Sequence, residues 1–333
     1  MTKKLPIIYK PSYLTEEKLQ NIAKNKYNGK DNSILYRFVF GHFYNFLVNH
    51  VIPSWVAYIV VWIYSPSMNK EMPSWVYFFT AFCLFVYFTL DNCDGKQARK
   101  TNSSTPLGQL FDHGCDCITT SLILQNLCAT IQAGASVRFA MFLLMGVPIF
   151  YFATWEEYMT DYFYLPELNG PDEGLFLITV MFIHGGFDPN FWKKSTFGIE
   201  NFNYLFVFTL FLFVVTAAGN FKNAMKGDHF KESSKLYIFK SLSPCFLTSL
   251  FGSLWIYFRF ELFLKHPRLV MTSIGFIFAN INLRVLVAHV SKDFGNWYIK
   301  KRFLMLFAIP IAYYLFGWIV ISEETFLRFY AFF

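Results

Sequence analysis

Residues 91–116 read D-N-C-D-G-K-Q-A-R-K-T-N-S-S-T-P-L-G-Q-L-F-D-H-G-C-D. They cross from the end of one apolar run, at about 73–90, into the start of the next, at about 107–130. Within them Asp91, Asp94, Gly95, Ala98, Arg99, Gly108, Asp112 and Asp116 follow the pattern D-x2-D-G-x2-A-R-x8-G-x3-D-x3-D. At about one chance in twenty per position, the pattern arises about once in 10^10 trials. Four acids at a membrane boundary are costly without a counter-charge. Divalent cations supply one, because hard cations take carboxylate oxygens.

Working outward, the 333 residues are 55% hydrophobic and only 15% charged, against about 25% charged in an ordinary soluble domain. The expected fold is an all-α integral membrane bundle whose apolar surface faces lipid. The net charge of +7 does not point to nucleic acid, because the Lys and Arg residues lie in loops between apolar runs, where positive charge sets orientation. The first forty residues are polar and lysine-rich, so the first membrane helix is expected to serve as the targeting signal. Cys83, Cys93, Cys115, Cys117, Cys128 and Cys245 lie in or beside apolar runs and read as small buried hydrophobes rather than disulfides. A zinc site from Cys93, His113, Cys115 and Cys117 is disfavoured by the C-x-C spacing and the interleaved aspartates.

Residues 1–45 read as a cytosolic segment with an amphipathic interfacial helix near 14–25. Residues 46–333 read as one transmembrane catalytic domain, with a core at about 46–222 and accessory helices at about 236–333. Apolar runs fall at about 51–67, 73–90, 107–130, 137–155, 174–190, 203–220, 236–260, 269–290 and 303–321, and a tenth begins near Thr325. Nine to ten spans are therefore expected, the run after Gly174 being interrupted by His184, Gly185 and Gly186. With a cytosolic N-terminus, Lys96, Arg99 and Lys100, then Lys222, Lys226, Lys231 and Lys235, then Lys292, Lys300, Lys301 and Arg302 all fall inside, as positive loops require. The stretch 156–173 is instead acidic, with Glu156, Glu157, Asp161, Glu167, Asp172 and Glu173. On the motif's side it reads either as an ordinary solvated loop or as a neighbour for a cationic headgroup. Trp155 beside Glu156 and Glu157 reads either as an interfacial aromatic or as one wall of an ammonium site. The remaining Phe and Tyr read as lipid-facing bulk.

On helices the motif spacing has geometric meaning. Asp91, Asp94 and Ala98 share one face of the second run, and Gly108, Asp112 and Asp116 share one face of the third. Two facing helices then bring four carboxylates around one point. Gly95, Ala98 and Gly108 leave room for a close approach or a flat ligand. Thr105 is a plausible N-cap with Pro106 at N1. Two Mg2+ ions about 3.5–4 Å apart are the usual solution where phosphoryl groups move, and Arg99 adds a fork of donors for phosphate oxygens. A nucleophile also needs a base within reach. Asp116 and His113 are both candidates, and a helix-orienting hydrogen bond is the alternative role for His113. Arg284 and His289 lie in the eighth run, Arg284 deep enough to need a partner, either structural or a lipid phosphate.

In every fixed position the motif resembles the signature of the CDP-alcohol phosphotransferases. Asp94 to Asp116, W-E-E-Y (Trp155 to Tyr158), N-G-P-D-E-G (Asn169 to Gly174), K-Y-N-G-K-D-N-S (Lys26 to Ser33) and L-V-A-H-V-S-K (Leu286 to Lys292) are similar to the eukaryotic choline/ethanolamine phosphotransferases. The resemblance implies a six-helix catalytic core, a homodimer, and direct transfer of phosphoethanolamine or phosphocholine from CDP-ethanolamine or CDP-choline to diacylglycerol with release of CMP. It implies Mg2+ or Mn2+, two ions, bound by Asp91, Asp94 and Asp112, with Asp116 bridging metal and serving as base. Gly95, Ala98, Arg99 and Gly108 would line the CDP site, and Glu156 is a candidate for the headgroup. It also implies a multi-pass protein of the endoplasmic reticulum, or the Golgi, with its site facing the cytosol. Ile52, Pro53 and Trp55 match the element that opens the family's first helix, but Ala57 is followed by Tyr58 and Ile59 where a Pro-Asn pair is usual. Relatives that use another acceptor, such as inositol, are usually shorter and lack the W-E-E-Y and N-G-P-D-E-G elements. An ion-coupled transporter would place its acids at mid-membrane or show inverted repeats; here the acids lie at helix ends.

Overall fold

The computed structural model describes residues 20–21, 29–31, 54–100, 106–165, 170–293 and 295. In chain order it contains β1 (Gly29–Asp31), α1 (Ser54–Tyr64), α2 (Ser74–Lys100), α3 (Pro106–Thr130), α4 (Val137–Thr160), β2 (Phe163–Leu165), a π-helical turn (Gly170–Gly174) and α5 (Leu175–Phe187). A 3-10 turn (Phe191–Lys193), β3 (Ser195–Thr196), β4 (Ile199–Glu200), α6 (Asn201–Ala224), α7 (Asp228–Glu232), α8 (Lys235–Phe258), α9 (Phe260–Lys265) and α10 (Pro267–Val290) follow. The strands are short: β1 pairs in parallel with β2, and β3 with β4 in an antiparallel hairpin.

Among the described residues, five helices are long and apolar enough to cross a membrane: Ser74–Cys93 within α2, then α4, α6, α8 and α10. The chain is a multi-pass membrane protein. α1, at 11 residues, and α5, at 13, are shorter than the runs that predicted them. α3 has 25 residues, but Asp112, Asp116 and its Ser, Thr, Gln and Asn residues dilute its hydropathy. The ninth and tenth runs and most of the proposed N-terminal helix lie outside the described residues. α2 continues for 27 residues, about 40 Å at 1.5 Å per residue, so its motif end projects beyond a hydrocarbon core of about 30 Å.

The helix ends follow local chemistry. Pro106 begins α3 and Pro267 begins α10, each at a first-turn position where the missing N–H costs nothing. Ser136 caps α4 by accepting from Phe139 N, and Ser234 caps α8 by accepting from Tyr237 N. α4 stops at Asp161, whose φ of 58° is left-handed.

α10 is the most buried of the five spans, with 67% of its apolar window covered, whereas α6 is outermost with 6%. α10 runs antiparallel to α3 along a seam where Leu283 meets Gly114, Gly275 meets Ser121 and Thr272 meets Gln125. Tyr58 of α1 joins this seam, donating to Gln125 Oε1 (3.2 Å) and lying 3.1 Å from Thr272 Oγ1. The residue that departs from the usual Pro-Asn pair is thus a structural tie between three helices. Gly185 and Gly186 do not break α5. They let it approach α2, where added Cβ atoms would lie 2.9 Å from Tyr77 and 2.7 Å from Phe78.

Contacts sort the connections into two ends. At the end distal to the aspartates, Arg268 donates to Ser65 O (3.1 Å from Nη2), Gly134 N to Met68 O, and Gln132 to Pro189 O. At the aspartate end, β1 pairs with β2, Asn21 donates to Ser291 O, Tyr158 donates to Asp293 O, and Lys292 pairs with Asp161.

Gly275 is where the seam is tightest, because a Cβ there would lie 2.2 Å from Ser121 Oγ and 2.8 Å from Ser121 Cβ. Gly275→Ala is expected to destabilise by about 1–3 kcal/mol, read as a lower unfolding midpoint in detergent, and Ser121→Gly in the same chain is expected to recover part of the loss.

Candidate active site

The site forms where α2 leaves the apolar layer and α3 enters it. Helical spacing carries Asp91 to the side of α2 that meets α3, and Asp112 and Asp116, one turn apart, to the side of α3 that meets α2. The three carboxylates are half-buried, and one ligand atom from each lies within 4.8 Å of the others. Such a set of hard oxygen donors fits a divalent cation. Asp94, Gly95, Ala98 and Arg99 continue α2 without a break, so the spacing places Asp94 and Ala98 on the same face as Asp91. The side chains of Asp94, Ala98 and Arg99, and Thr105 altogether, lie outside what the structure describes. Gly108 stands exposed one turn before Asp112, at the start of α3.

Tyr87 was not legible as a site residue. Its hydroxyl donates a short hydrogen bond to Asp116 Oδ1, so it belongs to the site rather than to lipid-facing bulk. The signal was its place one helical turn before Asp91, on the same face. Trp55 lies a turn below Asp116, its indole donating to Thr119 Oγ1 at 3.0 Å.

His113 points elsewhere. Its ring packs against Phe150 of α4 (6.3 Å) and Phe163 of β2 (5.3 Å), on the side of α3 that meets α4.

The acidic stretch is not one solvated loop. Glu156 and Glu157 belong to the last turns of α4 and are 3% and 1% exposed. Glu157 Oε1 accepts from Gln109 Nε2 of α3 at 2.9 Å. Asp172 is buried in the π-helical turn and accepts from Asn92 of α2 at 3.1 Å, which ties the start of α5 to the aspartate end of α2. Trp155 is fully buried rather than interfacial; its ring stacks on Phe221, Phe230 meets it edge-on, and its N–H donates to Ser241 Oγ. An ammonium has no access to that indole face.

Glu156 instead lines a cavity of about 460 Å³ with Thr160, Tyr162, Tyr164, Asn223, Lys226, Gly227 and Asp228. With its amide turned to suit its neighbours, Asn220 donates to Glu156 Oε2 at 3.2 Å. Arg284 is held by its own helix, its Nε donating to Asn280 Oδ1 at 2.9 Å. All six cysteines are free thiols and five are buried.

Residues 47–164 match the model of the CDP-alcohol phosphatidyltransferase family. A Dictyostelium discoideum protein named as CDP-alcohol phosphatidyltransferase class-I family protein 2 is 33% identical over 84% of this chain and 71% of its own length. Choline/ethanolaminephosphotransferase 2 of Arabidopsis thaliana is 33% identical over 84% of this chain and 79% of its own. Cholinephosphotransferase 1 of Saccharomyces cerevisiae is 29% identical over the same shares.

If the three carboxylates hold a divalent cation, Mn2+ or Mg2+ is expected to raise the unfolding midpoint of the purified protein. Asp91→Asn, Asp112→Asn and Asp116→Asn are each expected to remove that shift, as a thermal scan with and without chelator would read.

Proposed function

We propose, from the premise that the chain belongs to the CDP-alcohol phosphatidyltransferase family and is a membrane-bound transferase, that it moves phosphoethanolamine or phosphocholine from CDP-ethanolamine or CDP-choline to diacylglycerol and releases CMP. The observation that carries this reading is the placement of Asp91, Asp112 and Asp116. They sit at the end of the apolar layer, where a water-soluble nucleotide meets a hydroxyl arriving from lipid. The choice of substrates follows the named relatives, which cover most of the chain.

Asp91, Asp94, Asp112 and Asp116 would hold two Mg2+ or Mn2+ ions, whose chemistry when bound is to neutralise the diphosphate and the leaving phosphate. Arg99 binds phosphate oxygens through its planar fork. Gly95, Ala98 and Gly108 keep the floor of the site low enough for the cytidine portion. The acceptor hydroxyl oxygen bonds to the β-phosphorus, the bond from that phosphorus to CMP breaks, and the hydroxyl proton passes to a base. Asp116 fits that role better than His113. Tyr87 fixes one Asp116 oxygen, whereas the His113 ring is turned toward Phe150 and Phe163. Glu156 with Tyr162 and Tyr164 supplies an acid and two aromatics near the ammonium end of the donor. In this reading the protein is a homodimer of the endoplasmic reticulum with the aspartate end facing the cytosol.

The test is lipid product formation by purified protein with diacylglycerol, Mg2+, and CDP-ethanolamine and CDP-choline separately and in competition. Wild type is expected to form phospholipid in a ratio that identifies the headgroup. Asp112→Asn and Asp116→Asn are expected to lose activity by about a hundredfold or more while keeping the fold. Tyr87→Phe is expected to lower kcat by about ten- to a hundredfold, the worth of one hydrogen bond to a charged group, and Glu156→Gln to raise KM for the donor. Full turnover in Asp112→Asn would refute the site.

A further inference from the structure

α10 lies outside the segment matched to the family, yet it brings a histidine to the buried acid of α4. Two side-chain contacts and one pair of unpartnered atoms define what that histidine does. His289 Nε2 lies 3.6 Å from Glu157 Oε1, and His289 Nδ1 lies 3.5 Å from Asp161 Oδ1. Each ring nitrogen therefore faces a different carboxylate. Both separations exceed a hydrogen bond, by an amount that a small side-chain movement or one water closes. Glu157 Oε2 and His289 Nδ1 are buried with no hydrogen-bond partner. A histidine serving only to fasten α10 to α4 would be expected to make at least one close bond. This one stands between two acids in the arrangement by which imidazole takes a proton on one nitrogen and releases it from the other.

Burial is graded along the row. Glu157 is 1% exposed and His289 6%, whereas the Asp161 side chain is 58% exposed. The inner end lies beside the catalytic helix: Glu157 accepts from Gln109 of α3, three residues before Asp112. On the same two helices, His113 meets Phe150 one level deeper. The outer end is bordered by Lys292, which pairs with Asp161. His229 of α7 packs against Tyr158 (5.4 Å), and burial holds it below the ordinary histidine pKa.

The proposed transfer removes the hydrogen of an alcohol hydroxyl and replaces it with phosphorus, so each turnover leaves one proton to be carried away from the base. We propose that Glu157, His289 and Asp161 carry that proton out. Glu157, bonded to the motif helix through Gln109, takes it up at the inner end, His289 takes it at Nε2 and loses one from Nδ1, and Asp161 passes it to water. No oxidant or further reactant is needed. This inference rests on the transfer reading above and adds to it the path by which the base is restored.

The test uses the full chain in nanodiscs with diacylglycerol, Mg2+ and the better of the two CDP-linked donors, at low and high imidazole concentration. His289→Ala is expected to lower kcat about tenfold or more, with KM for the donor unchanged and kcat restored as imidazole rises. Asp161→Asn, at an exposed position that folding tolerates, is expected to show a smaller loss that imidazole also relieves. His289→Asn, which fills space but cannot relay, is expected to stay slow at low imidazole. Active wild type with unaffected variants, or losses that imidazole does not relieve, would overturn the relay alone. Wild type without turnover would overturn the transfer reading, and the relay with it.

Discussion

Mutual repulsion among Asp91, Asp112 and Asp116 is the constraint around which this end of the bundle is organised. Three carboxylates with ligand atoms within 4.8 Å of one another repel one another unless a counter-charge lies among them. The rest of the site follows from that requirement. α2 runs past the apolar layer so that its acids stand at the boundary rather than in hydrocarbon. Tyr87 directs a hydrogen toward Asp116, and Asn92 and Gln109 reach outward to Asp172 and Glu157. These outward bonds fix the two motif helices to α5 and α4, so the cluster is held by its surroundings rather than by its own attraction.

The same economy explains the polar character of α3. A helix that carries two acids and a row of Ser, Thr, Gln and Asn gains little from lipid, so protein covers it on several sides. α10 covers one side with a glycine at the tightest point, and α1 covers another through Tyr58 and Trp55. α6, by contrast, shows Val207, Phe211, Val214 and Val215 outward and meets the bundle along α4, through Phe202 and Phe206 on Phe142. The ordering of helices from centre to edge thus follows how many polar groups each must hide.

What the sequence disclosed and what it hid divide along a physical line. Spacing within one helix is legible, because a 3.6-residue period maps sequence onto a face; hence the place of Asp112 and Asp116 on one face of α3 was readable, as was the start of α3 at Pro106. The family was legible for the same reason. Contacts between helices distant in sequence are not periodic. Nothing in W-E-E-Y says that Trp155 is stacked under Phe221, or that Glu157 meets Gln109 and His289. Acidic composition left 156–173 open between a solvated loop and a neighbour for a cationic headgroup, and tertiary burial removes Glu156, Glu157 and Asp172 from solvent. Tyr87 was hidden by its company, one aromatic among many in an apolar run.

The antiparallel seam between α3 and α10 also has a meaning in time. A chain is threaded into the membrane from its N-terminus, and every motif residue from Asp91 to Asp116 is in place before the helix at 267–290 has been made. Until then Ser121 and Gln125 have no Gly275 or Thr272 to pack on, and the helix bearing two of the aspartates lacks the wall that sets its tilt. All the chemistry is therefore written early and assembled late. A nascent chain ending before Pro267 would carry the whole signature while the face of α3 that bears Ser121 and Gln125 still lacked its neighbour.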